Sequence, residues 1–253
     1  MKNIYIGTSG WYYDHWENVL YPPNTPKSDR FLIYQKQFNA VEINATFYRI
    51  PFQNVVKGWY RKSPPDFKFV AKANRQITHK NKLVETDQYI EKFISAISKL
   101  EDKLANILFQ LPPSLRYDLN LLENFLATLS QSYRYSFEFR NASWERDETY
   151  DLLQQYKMTY CIVNRKNYPF NEVITSDTVY YRLHGPEAIC ASPYSDQWLF
   201  ELAQKITPLD KTVFVFFNND IGGHAVRNAE RLKEFVEKLM KNGIKVQAHY
   251  FLL

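Results

Sequence analysis

The feature that most constrains this chain is a regular alternation of short apolar runs with longer segments of helical periodicity. Eight runs rich in β-branched and aromatic residues are predicted as strands, at residues 4–9, 40–46, 67–74, 106–110, 135–140, 159–164, 179–184 and 212–218. Seven segments with apolar residues three and four positions apart are predicted as helices, at residues 29–38, 55–62, 87–100, 119–129, 144–156, 196–206 and 225–240. Such alternation is typical of βα units around a parallel sheet.

Chain length and repeat number favour a single (β/α)8 barrel. The chain has 253 residues, and one complete barrel of this kind takes about 250. An open doubly wound sheet is the alternative, but that fold usually carries a glycine-rich phosphate loop after its first strand, and GTSGW at 7–11 does not match that pattern. Residues 165–177 lack helical periodicity, so one barrel helix is predicted to be missing or replaced by a loop after the sixth strand. No linker-like segment is visible, which predicts one domain over residues 1–253.

Composition narrows the cellular setting. No run of about 18 uncharged apolar residues occurs, and no signal peptide is visible, so we expect a cytoplasmic protein without a membrane partner. Cys161 and Cys190 are too few for a disulfide framework and lack the clustered spacing of a metal site, which indicates reduced structural thiols. The oligomeric state is left open.

Side-chain alternation predicts which strand residues point into the barrel. In the fifth strand Tyr135, Phe137 and Phe139 form an apolar set that suits the surrounding helices, so Glu138 and Arg140 should face inward. The same parity on the other strands predicts an inward polar set of Glu42, Asn44, Lys72, Asn74, Gln110, Arg182, His184 and Asn218. These residues accumulate toward strand C-termini, where barrels build their active sites.

Charged residues buried in this way need partners of opposite charge. An unpaired buried ion costs several kcal/mol, so the inward acids and bases are expected to form one network. Such a network can serve stability alone, but apolar residues of similar volume often stabilise a core equally well. A ligand site is therefore the favoured interpretation.

A series of motifs resembles one known family along nearly the whole chain. The motifs are GTSGW at 7–11, VEINATFY at 41–48 before Pro51, FKFVAK at 67–72, ITH at 77–79, LFQLPP at 108–113, FEFR at 137–140 with Trp144, YRLHG at 181–185, and FNN at 217–219 with Asn228 and Ala229. In this order they resemble the YecE-like family, catalogued as domain of unknown function 72. The resemblance implies a TIM-type barrel, related in some classifications to sugar isomerases, and brings no established activity.

The resemblance also implies a set of signature positions. They correspond to Glu42, Asn44, Lys72, His79, Gln110, Glu138, Arg140, Arg182, His184 and Asn218, nearly the set selected by strand parity. Our hypothesis assigns catalytic roles to Glu42, Glu138, Lys72 and His184, with the two glutamates as acid and base. It assigns substrate binding to Asn44, Asn74, His79, Gln110, Arg140, Arg182, Asn218, Asn219, Gly222, Gly223 and Trp11.

Two other chemistries are weaker on the same residues. Glu42, Glu138 and His184 could hold a divalent metal, but at least three interior cations compete for the carboxylates and no compact ligand spacing is present, so no cofactor is predicted. A serine nucleophile is weaker still, because Ser9 lies in no recognisable nucleophile elbow.

Two loops carry further candidates. The backbone N–H groups of Gly222, Gly223 and His224, before the last helix, could hold a phosphate, although a glycine pair in a tight turn explains the sequence equally well. Aromatic residues follow the first two strands and could stack on a sugar or base, or simply pack: Trp11, Tyr12, Tyr13, Trp16, Phe47 and Tyr48.

The charge distribution favours an anionic partner. The chain carries a net charge of +5, and residues 57–82 hold six Lys and two Arg against the single acid Asp66. We expect an isomerase, lyase or hydrolase acting on a sugar-like or phosphorylated anion, or on a polyol. The alternatives are a nucleic-acid-associated protein that binds through residues 57–82, and a non-catalytic ligand sensor.

Overall fold

The fold is an eight-stranded parallel α/β fold of the TIM type. The computed structural model describes residues 3–241 and residue 243. Its strands are β1 (Ile4–Thr8), β2 (Ala40–Ile43), β3 (Lys68–Lys72), β4 (Leu104–Gln110), β5 (Tyr135–Glu138), β6 (Thr159–Asn164), β7 (Thr178–Leu183) and β8 (Thr212–Phe217). They lie in the order β1-β8-β7-β6-β5-β4-β3-β2. This is the sequential order of a (β/α)8 barrel, and the predicted fold class is confirmed.

Helices alternate with these strands. They are α1 (Arg30–Gln37), α2 (Ala45–Tyr48), α3 (Gln53–Lys62), α4 (Asp87–Ile97), α5 (Leu119–Thr128), α6 (Asp147–Gln155), α7 (Asp196–Ile206) and α8 (His224–Lys241). Residues 165–177 between β6 and β7 contain no helix, as their missing periodicity predicted. A short π-helical turn, Gln76–Lys80, follows β3.

The second strand ends earlier than predicted. The apolar-polar alternation extended it to residue 46, but β2 ends at Ile43 and α2 begins at Ala45. Side-chain hydrogen bonds explain the early end, because Thr46 Oγ1 donates to the Ile43 carbonyl at 2.7 Å and approaches the Lys72 carbonyl at 2.6 Å. The threonine thereby fastens the start of α2 to the end of β3.

The described chain divides into two compact units. The first takes the residues before Glu42, Ile162–Val173 and the residues from Thr178 onward, and the second takes Glu42–Cys161 and Ile174–Asp177. The first unit therefore contains β1, β7, β8, α1, α7 and α8, and the second contains β3, β4, β5 and α2 to α6.

Aromatic packing in the second unit fixes which strand face carries polar residues. Phe109 of β4 packs on Phe125 of α5, with ring centroids 5.2 Å apart, and stacks on Phe137 of β5 at 5.3 Å. Phe109 and Phe137 therefore face the helices. Since neighbouring residues on a strand point to opposite faces, Gln110 and Glu138 lie on the other face, as predicted.

In the first unit the same alternation applies to β7 and β8. Tyr180 packs against Phe214 and Phe216, with ring centroids 6.0 and 5.5 Å apart. Phe217 instead contacts Tyr194, in the segment leading to α7, at 6.0 Å. Tyr180, Phe214 and Phe216 thus share the face predicted to point inward.

Candidate functional site

A polar cluster in the second unit consists of Lys72, His79, Gln110, Glu138 and Arg140. Three of these residues lie at the ends of strands. Lys72, Gln110 and Glu138 are the last residues of β3, β4 and β5. These strands are parallel neighbours, so their carboxyl ends lie at one edge of the sheet. This is the edge at which barrels of this type build their active sites.

Glu138 is fully buried, and Gln110 and Arg140 both contact its carboxylate. Gln110 Nε2 donates to Glu138 Oε2 at 2.9 Å, and Arg140 Nε forms an ion pair with Glu138 Oε1. Glu138 has no exposed surface, whereas the Arg140 side chain is 16% exposed. A carboxylate engaged at both oxygens is well suited to fixing a cation in place.

Lys72 and His79 both contact one aromatic ring. The Lys72 Nζ atom lies 4.3 Å from the centre of the Phe47 ring. The imidazole of His79 meets the same ring edge-on, with centroids 4.8 Å apart. Lys72 comes from β3 and His79 from the π-helical turn that follows it, a local irregularity that is frequent at functional sites.

His79 is electrostatically coupled to the rest of the cluster. Partial burial, followed by the positive charges of Lys72 and Arg140, lowers the pKa of His79 below its ordinary value, and the Glu138 carboxylate opposes the shift. Thr78 Oγ1 lies 2.9 Å from His79 Nδ1 and fixes that side of the ring. The lowered pKa favours the uncharged imidazole, a form able to accept a proton.

The remaining predicted residues of this unit differ in their surroundings. Glu42 is fully buried on β2. The side chain of Asn74 holds α2, because its Nδ2 donates to the carbonyls of Thr46 at 2.9 Å and Phe47 at 3.2 Å. Asn44 Oδ1 is buried and makes no hydrogen bond to any described residue. Asn74 thus has a structural task beside any contact with a ligand.

The first unit holds the other predicted residues. Arg182 on β7 is fully buried, and His184, just beyond the strand, is 3% exposed. The Asn218 backbone N–H donates to the Leu183 carbonyl at 2.7 Å. Asn219 Nδ2 donates to the Ser192 carbonyl at 2.9 Å and to Asn228 Oδ1 at 2.8 Å, which ties the loop after β8 to α8. The catalytic role of His184 and the ligand-binding roles of Arg182, Asn218 and Asn219 stay predictions.

The glycine pair after β8 forms a tight turn. Gly222 and Gly223 both have a φ of +73°, and a Cβ on Gly223 would lie 2.9 Å from Val19 Cγ1. The Gly223 N–H donates to the Asp220 carbonyl at 2.9 Å, so it is already engaged in the turn. The geometry accounts for both glycines without a phosphate, and phosphate binding here stays a prediction.

Trp11 is packed into the first unit. It is 8% exposed, its ring lies 5.2 Å from that of Phe31 on α1, and its carbonyl accepts a hydrogen bond from Tyr21. The contact of Trp11 with a ligand stays a prediction.

Sequence reasoning missed a pair formed by His15 and Asp220. His15 Nε2 lies 3.0 Å from Asp220 Oδ2, and Trp16 Nε1 donates to Asp220 Oδ1 at 2.6 Å. Burial raises the pKa of Asp220, and His15 and Trp16 oppose the shift. His15 and Asp220 are 205 positions apart and no strand pattern selects His15, so no feature of the sequence indicates this pair.

Metal ligation gains no support from the described residues. Among them, no group of three or more His, Cys, Asp or Glu side chains is placed to hold a metal ion. The proposed set of Glu42, Glu138 and His184 therefore stays an unsupported alternative.

The sequential parallel sheet and the polar strand ends define a TIM-type barrel with a candidate site at the usual edge. The chain belongs to the family described as protein of unknown function DUF72, whose family model matches residues 5–248. No helix in the described part of the chain is both long and apolar enough to cross a membrane.

Relatives of this chain are found by sequence and by structure. The UPF0759 protein YunF of Bacillus subtilis is 27% identical over 279 residues, which cover 92% of this chain and 95% of that protein. The UPF0759 protein YecE of Escherichia coli is 29% identical over 151 residues, which cover 58% and 53%. A crystal structure of a DUF72 family protein from Thermotoga maritima has a TM-score of 0.84 at 30% identity and covers 92% of this chain and 99% of its own. A DUF72 family protein from Enterococcus faecalis, with a TM-score of 0.81, 20% identity and coverage of 92% and 95%, shows likeness of fold alone.

Proposed function

We propose that the second unit binds a sugar-like or phosphorylated anionic small molecule and exchanges a proton with it. The observation that carries this proposal is the grouping of Lys72 and the half-buried His79 on the Phe47 ring at the carboxyl end of β3. Burial and the charges of Lys72 and Arg140 lower the pKa of His79 in this grouping. Two cations near a neutral imidazole at a strand-end edge combine anion binding with a proton acceptor. Proton transfer of this kind is common to isomerase, lyase and hydrolase reactions.

The cations are assigned the binding step. Lys72 Nζ is held over the Phe47 ring, and the Arg140 guanidinium is fixed by Glu138. An anion bound beside them offsets their positive charge, and its own charge favours protonated His79. Ligand binding thereby raises the basicity of the imidazole at the moment when a proton has to be accepted.

Glu138 is assigned a positioning role rather than the proton transfer suggested by its sequence pattern. Its oxygens are engaged by Gln110 and Arg140, and it is fully buried. Glu42 keeps its assignment as a proton-transfer group. In this scheme Glu138 acts through Arg140, and His79 takes the role in contact with the ligand.

Binding of ribose 5-phosphate, followed by calorimetry, tests the proposal. The variant Lys72→Met should lose the binding, since it keeps the stem of the side chain but removes the charge next to the ligand. Lys62→Met is the matched control, because Lys62 is exposed at the end of α3 and should leave the affinity nearly unchanged. Equal affinities in the wild type and Lys72→Met would contradict the proposal.

Nucleic acid is the second candidate ligand, supported by exposed cations along residues 57–82. Lys57, Arg61, Lys62, Lys80 and Lys82 are all exposed. If nucleic acid binds there, each cation contributes through counterion release, so neutralising several flattens the salt dependence while Lys72→Met has little effect. Binding to short DNA and RNA over a salt series separates this candidate from the small anion.

A ligand sensor without catalysis shares the proposed binding chemistry. It is distinguished by His79→Gln, which would remove turnover of a substrate but would leave a sensor's binding largely intact. Affinity and turnover therefore have to be measured in the same variant.

A further inference from the structure

An opening in the second unit lies beside the polar cluster. It is a cleft of about 680 Å³ between the segment that joins α2 to α3, the start of the π-helical turn, and α4. Its lining includes Tyr48, Arg49, Phe52, Asn74, Gln76 and Lys92. The proposed proton exchange uses none of them.

Two aromatic side chains of the cleft are strongly exposed. Tyr48 is 69% exposed and Phe52 is 68% exposed, although most large apolar side chains of the described residues are buried. The Arg49 guanidinium lies 5.4 Å from the centre of the Phe52 ring and covers part of it. Exposed rings next to a cation form a surface on which a planar, electron-rich ring can stack.

The polar groups of the cleft indicate what kind of ring fits. Its lining, all within the described residues, contains the cations Arg49 and Lys92 and the carboxamides of Gln53, Asn74, Gln76 and Gln88, but no Asp or Glu. A carboxamide has one hydrogen-bond acceptor and one donor group, so it can form two hydrogen bonds with the edge of a nucleobase, most favourably adenine. A neutral polyol instead presents several hydroxyl donors, for which carboxylates are the strongest acceptors.

The cleft and the polar cluster share α2. Tyr48 contacts the Phe47 ring at 5.1 Å between centroids, and the centre of the Phe47 ring lies 4.3 Å from Lys72 Nζ, so the Tyr48 ring centre and that charge are at most 9.4 Å apart. Asn74 lines the cleft and also holds the carbonyls of Thr46 and Phe47. One ligand with a ring at one end and an anionic group at the other can therefore reach both features.

We propose that this cleft takes the base of a nucleoside monophosphate whose phosphate is held by Lys72 and Arg140. The assignment of the phosphate rests on the proposed function, whereas the assignment of the base rests on the cleft. Tyr48 and Phe52 stack on the base, and Arg49 adds positive charge. The carboxamides of Gln76 and Gln88 read the edge of the base, since the Asn74 side chain already bonds to backbone groups and Gln53 donates to Ser95. The substrate class is thereby narrowed from any small anion to a mononucleotide.

Calorimetric titration of the full chain with AMP, adenosine and ribose 5-phosphate tests the inference. AMP should bind at least about tenfold more tightly than ribose 5-phosphate, in line with the contribution of one stacked base. Tyr48→Ala and Phe52→Ala should each remove most of that advantage without changing ribose 5-phosphate binding. Tyr48→Phe should keep it, and Tyr12→Ala is the matched control because Tyr12 is 54% exposed in the other unit.

The two proposals fail in different ways. Equal affinities for AMP and ribose 5-phosphate, both lost in Lys72→Met, would overturn the base assignment and leave the proposed function standing. If Lys72→Met binds ribose 5-phosphate with the affinity of the wild type, the proposed function is overturned. Loss of adenosine binding in Tyr48→Ala would still support the base site in that case. A single-stranded oligonucleotide that binds far more tightly than AMP, with steep salt dependence, would overturn the mononucleotide as the ligand.

Discussion

At the scale of single residues, the sequence predicted positions better than roles. Strand parity placed Gln110 and Glu138 on the face opposite Phe109 and Phe137, and the aromatic contacts with α5 confirm that assignment. Parity is a property of one strand, so it can be read from one stretch of sequence. The role of Glu138 depends on its contacts with Arg140 and with Gln110 of the neighbouring strand β4. Contacts between strands cannot be predicted from the pattern of one strand.

Replacing Glu138 tests its positioning role. Glu138→Gln keeps the shape of the side chain but removes the buried charge that pairs with Arg140, so the free energy of unfolding should fall by about 3 kcal/mol. Lys62→Gln, on the exposed end of α3, should change it by less than about 0.5 kcal/mol. Urea denaturation of both variants measures the difference, and equally small effects would mean that the ion pair is well solvated.

The lowered pKa of His79 predicts a pH dependence of stability. Below its ordinary value of about 6.5, the unfolded chain binds a proton that folded His79 resists, so the free energy of unfolding falls as pH decreases toward the lowered folded pKa. His79→Gln removes this contribution and should lose less stability between pH 7.5 and 5.5 than the wild type. Denaturant titrations at the two pH values provide the comparison, and an identical loss in both proteins would argue against the shift.

At the scale of elements, the presence of each strand was predicted more accurately than the residue at which it ends. All eight predicted strands are present, but the second ends at Ile43 because Thr46 and Asn74 make hydrogen bonds that replace strand pairing. The alternation of apolar and polar residues continues through this point, so the pattern itself contains no signal for the end. The end of β2 is set by hydrogen bonds with the end of β3 and with Asn74 in the loop that follows it.

Two glycines should respond oppositely to alanine. Gly223 has a φ of +73° and a Cβ there would meet Val19 at 2.9 Å, so Gly223→Ala should destabilise the protein by about 1–3 kcal/mol. Gly58 lies within α3, and a Cβ there meets nothing within 4 Å, so Gly58→Ala should stabilise by about 0.5–1 kcal/mol. Thermal denaturation measures both; a stabilised Gly223→Ala would show that the turn tolerates a side chain.

At the scale of the whole molecule, repetition made the fold predictable. Eight strand patterns with helices between them specify a sequential parallel sheet, and the order β1-β8-β7-β6-β5-β4-β3-β2 is the one observed. The interruption at residues 165–177 was predictable for the same reason, since a helix without periodicity has no apolar face to bury. The single-domain assignment for residues 1–253 stays a prediction.

The candidate site was predictable only as a collection of inward polar residues. The contacts of Phe47 with Lys72 and His79, and the cleft with Tyr48 and Phe52, depend on α2 and the segment after it, whereas the sequence pattern assigned the first two residues of α2 to a strand. A helix of four residues is too short for periodicity to reveal. The chemistry of the site therefore became visible only with the arrangement of that segment.

An NMR titration of the His79 imidazole, with and without ribose 5-phosphate, tests the central claim most directly. In the free protein His79 should titrate below its ordinary pKa, because of burial and the charges of Lys72 and Arg140. Bound phosphate places negative charge beside those cations and should raise the His79 pKa in the wild type and in Lys62→Met, but not in Lys72→Met. A His79 pKa that stays unchanged at saturating ribose 5-phosphate would contradict the claim that this cluster binds the anion.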